Sequence, residues 1–257
     1  MKPREPAIRI TTTELLGIDE MVPDYEGQTL GLTELGLPLS RFIMAGRYVG
    51  RSDENERVMV RISDDLNEVT MLVGNYFSES LEIFEEFEAN DPLVIIGKVS
   101  FLTGQTQLSK RFYLENIRKI SDVEMRYFQA SAILFLKERI DKIAKAVSSG
   151  MKEKQELSAL MDSERLGLGL SKRFELKGSV DVEKFISLVN SFTEGLSKKN
   201  KQIVLEEIKG NREISLEELV SRLGDKLSRE SIEEELRNLL NEGELMEVRT
   251  GIYRYVS

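Results

Sequence analysis

Apolar and polar residues alternate strictly over Arg57–Ile62. Val58, Val60 and Ile62 fall on one face, and Arg57, Met59 and Arg61 on the other, the period-2 signature of a half-buried strand. Four further segments read the same way: RFIMAGRYVG before it, EVTMLVGNYF after a polar SDDLN turn, then PLVIIGKVSFL and Gln107–Ile120. Between the third and fourth the period changes. In SESLEIFEEFEAND, Leu81, Phe84 and Phe87 recur at helical spacing, Ser78 or Ser80 is available as N-cap, and Asn90-Asp91-Pro92 ends the run. Three strands, one helix and two strands is the order of an OB-fold, a five-stranded, partly open Greek-key barrel. A β-sandwich would add strands and lack the helix, and a βαβ fold would need more helices.

Beyond the barrel the pattern is helical. EMRYFQASAILFLKERIDKIAKAV carries a stripe of Ala132, Ile133, Leu136, Ile140, Ile143 and Val147, widened by Leu134 and Phe135. So long an apolar face on so small a barrel predicts pairing with partner helices in a bundle, with packing back onto the barrel as the alternative. Residues 148–197 are rich in Ser, Gly and charge at both ends and read as a partly ordered linker, with one short helix from Asp181 to Phe192. The final segment reads as helix, helix, helix and hairpin: KKNKQIVLEEIKG, then SLEELVSRLG with the capping box Ser215–Glu218, then SRESIEEELRNLLNEG, which repeats the device with Ser228 and ends at Gly243, then two short strands around Thr250-Gly251. That order predicts a winged helix, a relative of helix-turn-helix. The expected division is an N-terminal extension packing on the barrel (1–40), the OB-fold (41–122), an oligomerisation helix (123–147), the linker (148–197) and the winged helix (198–257).

Composition narrows the chemistry. The 257 residues contain neither cysteine nor histidine, which removes disulfides, zinc fingers, thiol nucleophiles and imidazole catalysis. No apolar run approaches the length of a membrane span, and the N-terminus lacks a signal peptide's apolar region, so a cytoplasmic, nucleoid-associated protein is expected. There is no GxxxxGK[ST] motif, and GLGL at 167–170 lacks the spacing of a dinucleotide fingerprint. No enzyme activity, cofactor or metal is expected. The net charge is −9, and residues 1–120 hold 13 Lys/Arg against 20 Asp/Glu, so any nucleic-acid contact rests on a local groove of cations.

Such a groove on an OB barrel lies across strands two and three, between the loops at Ser52–Glu56 and Thr103–Thr106. Single-stranded nucleic acid needs cations for phosphates and flat apolar faces for bases. Candidate stackers are Tyr76, Phe77 and Phe101; candidate phosphate contacts are Arg47, Arg57, Arg61, Lys98, Lys110 and Arg111. Core packing is the competing assignment for Phe77 and for Phe101, which alternation aligns with Val99 and Ile95. The arginines of strand two could equally form a solvated face. The third helix of the C-terminal unit is acidic (Glu230, Glu233, Glu234, Glu235 and Glu242), which opposes entry into a DNA groove and fits a solvated or protein-docking surface.

The strand-and-turn RVMVRISDD, the hairpin GKVSFLTGQTQLSKRF, the run YLENIRKISDVEM into the long helix and the opening REPAIRITTTELL together resemble the middle subunit of replication protein A, the eukaryotic and archaeal single-stranded DNA-binding heterotrimer. The likeness spans nearly the whole chain and is nearer the archaeal branch. It implies stacking by two aromatics, which by position are Tyr76 (or Phe77) and Phe101. It also implies a three-helix bundle with the large and small OB-fold subunits through 124–147, using Tyr127, Ile133, Leu136, Ile140, Ile143 and Val147. Docking of replication and repair proteins by the winged helix is implied as well. The family's long acidic N-terminal tail is absent, and its usual strand-three tryptophan has only a tyrosine near it. A purely structural adaptor, a winged-helix transcription regulator and a telomere-capping subunit are the competing readings.

Overall fold

The computed structural model describes residues 6–23, 29–54, 57–74, 84–102 and 109–256. Two compact units emerge. The first comprises the chain up to Ile120 with residues 125–189, and the second residues 121–124 and 190–257. Among the described residues no helix is long and apolar enough to cross a membrane.

The chain begins with β1 (Ile8–Arg9), α1 (Thr12–Leu16), β2 (Ile18–Pro23), β3 (Thr29–Thr33) and β4 (Pro38–Leu39). The five alternating segments then form β5 (Arg41–Glu54), β6 (Arg57–Ser63), β7 (Glu68–Val73), β8 (Pro92–Leu102) and β9 (Ser109–Lys119). They pair in the order β5-β6-β7-β9-β8, and β8 pairs back onto β5, so the sheet closes on itself with the strand order of an OB-fold. Val60, Ile62, Val69, Met71, Leu93, Ile95, Val99, Phe112 and Leu114 point inward and form the core. The first part of the helix expected between β7 and β8, residues 78–83, lies outside the described residues; the rest is a short 3-10 turn and loop in which Phe84 is buried and stacks edge-on against Phe87.

Four of the contacts among these five strands are antiparallel, with register shifts at Tyr48/Gly50 and Ile96/Gly97. The fifth, between β7 and β9, is parallel and holds at only Leu72–Tyr113 and Val73–Leu114. Helix α1 packs against β7 beside this short seam. Thr12 donates to Asp64 in the β6–β7 turn from both its N–H (2.7 Å) and its hydroxyl. Asp64 also accepts from the N–H groups of Leu66 and Asn67. Burial pushes the Asp64 carboxyl up, and these donors oppose that shift.

The long amphipathic segment forms α2 (Asp122–Ser148). Its stripe is covered by this chain, which corrects the expectation that it faces partner helices. Ile133, Leu136, Ile140 and Ile143 are buried. Met125 and Phe128 pack on Ala45, Val94 and Ile120 of the barrel, Gln129 donates to the Asp64 carbonyl, and Arg139 reaches Glu14 of α1. What α2 leaves exposed is Tyr127 (63%), Leu134 (61%) and Val147 (47%). The physical reason is that the chain itself offers surface to the helix: Met125 and Phe128 lie on the barrel, Phe135 packs on its core, and Arg139 pairs with Glu14.

The expected linker is also structured. It contains α3 (Lys154–Leu160) and α4 (Glu164–Lys177), and α4 is tied to the N-terminal strands by Arg173, which is bidentate to Asp19 and donates to the Glu34 carbonyl. Lys177 reaches Glu20 at 3.0 Å and Lys184 reaches Glu34 at 2.8 Å. The glycines of GLGL serve this packing: a Cβ at Gly167 would strike Ser158, and one at Gly169 would strike Gly36 and Pro38. The expected helix at 181–192 and the one after Lys198 are a single helix, α5 (Glu183–Lys209).

The second unit continues with β10 (Ile214–Ser215), α6 (Leu216–Leu223), α7 (Arg229–Asn241), β11 (Leu245–Arg249) and β12 (Ile252–Tyr255). The hairpin gains a third strand, in the order β10-β12-β11. Both halves of the Ser215–Glu218 capping box are present. At α7 the cap is one-sided, because Ser228 accepts from Ser231 and no carboxylate stands there to return the bond. Val204, Ile208, Leu219, Leu223, Ile232, Leu236 and Leu239 fill the core. Of the α7 acids, Glu233 pairs with Arg229 and Glu242 with Lys201, while Glu235 is buried and its carboxyl is pushed up by desolvation.

Glu14 and Arg139 are almost wholly inaccessible, at 0% and 3%. Arg139 stacks over the Phe135 ring at 4.6 Å, and among the described residues its Nε and Nη1 find no acceptor. Removing one partner strands the other charge. Glu14→Ala is therefore expected to lower the unfolding free energy by about 3–5 kcal/mol in a urea titration; a loss below about 1 kcal/mol would show that the pair is not desolvated.

Candidate nucleic-acid interface

Inward residues of β6 and β7 build the core, so their alternates face outward: Arg57, Met59 and Arg61 on β6, and Glu68, Thr70 and Leu72 on β7. Register sets Met59 opposite Leu72 and Arg61 opposite Thr70. Past the short parallel seam, β9 contributes Lys110, Arg111 and Phe112, and α1 contributes Leu16. Together these residues line an open cleft of about 500 Å³. Its apolar surface comes from Leu16, Met59 and Leu72 over the buried Phe112, its cations are Arg57, Lys110 and Arg111, and Glu68 is its acid. A flat apolar surface between cations is what bases and phosphates of a single strand require.

The cations differ in how committed they are. Arg61 pairs with Glu68 at 3.3 Å, both side chains being largely exposed, so water and salt weaken this pair and a phosphate can compete for Arg61. Lys110 is held within the protein. Its ammonium donates to the carbonyl oxygens of Leu16 and Ile18, at the C-terminal end of α1, where the helix dipole favours a cation. Partial burial lowers its pKa, against the pull of Asp19 and Glu34. Lys110 thus joins the N-terminal segment to β9, and its charge is already used.

The sequence-predicted residues do not all share this site. Arg57, Arg61 and Arg111 share the outward face described above. Lys98 is exposed on β8, opposite both Tyr113 and Arg41. Arg47 lies on β5 opposite Ser63 and Pro92, and donates to the Asn90 carbonyl at 2.8 Å. Phe101 is half-buried and packs on the barrel core. A Cβ added at Gly31 of β3 would lie 3.0 Å from the Phe101 ring and 2.9 Å from Ile18, so β3 can pass over Phe101 only as glycine. Tyr76, Phe77 and the Thr103–Thr106 loop lie outside the described residues, while Ser52–Glu54 of the other loop extend β5.

Sequence reasoning missed Met59, Leu72 and Leu16 as lining residues. Strand alternation did place Met59 on the outer face, but an apolar residue there carries no chemical signal by itself. Leu16 reaches the cleft only because α1 sits beside the β7–β9 seam.

No protein-family model matches the chain, and no curated protein does. Among solved structures, a chain of a replication protein A heterotrimer bound to single-stranded DNA is similar at 12% identity and a TM-score of 0.39, covering 52% of this chain and 98% of that one. A chain of the S. pombe Stn1–Ten1 complex gives 6% identity, the same TM-score, and coverage of 52% and 93%. The S. cerevisiae mitochondrial single-stranded DNA-binding protein Rim1 gives 12% identity, a TM-score of 0.26, and coverage of 32% and 92%.

Because Lys110 acts as a cap on α1, Lys110→Met is expected to lower stability by about 1–2 kcal/mol in chemical denaturation. An unchanged midpoint would return Lys110 to the pool of ligand contacts.

Proposed function

We propose that this chain is a single-stranded DNA-binding subunit of a heterotrimer of the replication protein A kind, acting in DNA replication, repair and recombination. The observation that carries the reading is the cleft on the outward face of β6, β7 and β9, where Arg57 and Arg111 flank an apolar surface of Met59 and Leu72. The face is cationic although the chain is acidic, and counterion release from a few phosphates gives modest, salt-sensitive binding. The role is non-catalytic.

Exposed Tyr127 and Leu134, one heptad apart on α2, support an interface with the two companion OB-fold subunits, built on the side of α2 away from its buried stripe. Helix α5, strand β10, helices α6 and α7 and the β11–β12 hairpin, in that order, support assigning the second unit as a winged helix that docks partner proteins. The acids of α7 repel a phosphate backbone and weigh against duplex reading. A structural adaptor that never touches DNA is the competing reading, favoured by the pairing of Arg61 with Glu68.

Charge reversal separates the two. Full-length protein carrying Arg57→Glu and Arg111→Glu is expected to bind oligo-dT at least about tenfold more weakly by fluorescence anisotropy. The slope of log affinity against log salt should shrink by about 1.4, or 0.7 for each lost phosphate contact. Equal affinity and slope in the variant and the parent would establish the adaptor reading.

A further inference from the structure

The strand register carries the outward face beyond the cleft. Leu72 on β7 is opposite Tyr113 on β9, Tyr113 is opposite Lys98 on β8, and Lys98 is opposite Arg41 on β5. With Met59, which faces Leu72, these residues form one unbroken row running around the outside of the barrel. Phe112 and Leu114 are buried on either side of Tyr113, so alternation turns its ring outward. Residues directly opposite one another in such a sheet have Cβ atoms about 4.5–5.5 Å apart. The row therefore reads apolar, apolar, aromatic, cation, cation, without a gap.

We propose that a single strand bound in the cleft continues along this row, stacking a base on Tyr113 and setting its phosphates against Lys98 and Arg41. The proposal rests on the reading of the cleft as a DNA site and extends it. The occupant follows from charge and shape: an aromatic face followed by two cations suits alternating base and phosphate, and four strand spacings give a path of roughly 20 Å. That length accommodates the shortest site sizes of a single OB barrel, about 4 nucleotides.

Among the described residues, a carboxylate stands on the path beyond the cleft. Glu115, two residues from Tyr113 on the same face of β9, pairs with Arg41 at 2.6 Å, with side-chain exposures of 29% and 16%. The neighbouring row, Arg9–Ile43–Ile96–Asn116, brings no acid. Glu115 thus holds Arg41 in place and competes with phosphate for it. A strand reaching Arg41 must displace this pair, so Glu115 weakens the far end of the path.

The test compares full-length proteins on oligo-dT of about 2 nucleotides, which the cleft alone holds, and about 4 nucleotides, which spans the path, with thermal melts confirming that each variant is folded. The parent is expected to gain affinity with length. Tyr113→Ala with Lys98→Glu should reduce that gain at least about tenfold, Tyr113→Phe should restore the stacking share of it, and Glu115→Gln should enlarge it. An unchanged length dependence in all of these variants overturns the extended path. If Arg57→Glu with Arg111→Glu still abolishes binding in that case, the cleft stands as the DNA site and the strand ends at β9. If neither set of substitutions moves affinity, both the cleft and the path are wrong.

Discussion

A barrel with this connectivity must close one seam in parallel, and here that seam is two residue pairs long. Parallel pairing is slightly weaker per residue than antiparallel pairing, and a seam this short leaves the core needing cover. Helix α1 packs there, and the rest of the first unit follows from fixing it in place. Asp64 accepts from Thr12 at one end, and Lys110 receives the Leu16 and Ile18 carbonyls at the other. Glu14, carried inward by the same helix, requires the buried Arg139 of α2. That contact ties α2 to the N-terminal segment in the middle of a buried stripe that sequence alone assigned to partner helices.

The same seam creates the cleft. Where Leu16 and Phe112 meet the outward faces of β6 and β7, apolar surface is left among arginines. A protein with a net charge of −9 can present a cationic face because many of its acids are engaged elsewhere. Asp19, Glu20 and Glu34 neutralise Arg173, Lys177 and Lys184 between the N-terminal strands and the helices that follow α2. Glu233 and Glu242 do the same within the second unit. The sum of charges therefore said little about any one face, whereas their pairing decides it.

Much of this architecture could be read from local pattern. The five strands, the start of α2, the Ser215 capping box and the order of elements in the second unit all announce themselves through period-2 alternation, helical stripes and caps, which are properties of neighbouring residues. The linker was misread because Ser, Gly and charge are also what tight helix packing and ion pairing use. Gly167 and Gly169 are small so that α4 can approach Ser158, Gly36 and Pro38, and Arg173 is charged because Asp19 waits for it.

The candidate site divides along the same line. Sequence by itself determined which residues alternate outward on β6, and so placed Arg57, Met59 and Arg61 together, because strand geometry is local. It could not tell that Lys110 is consumed by carbonyls 92 and 94 residues away, or that Phe101 packs on the core beneath Gly31. Nor could it tell that Tyr113, Lys98 and Arg41 share one row. Those facts depend on register and on which distant segment covers which surface, and only the tertiary structure decided them, because burial and hydrogen-bond satisfaction are settled between segments rather than within them.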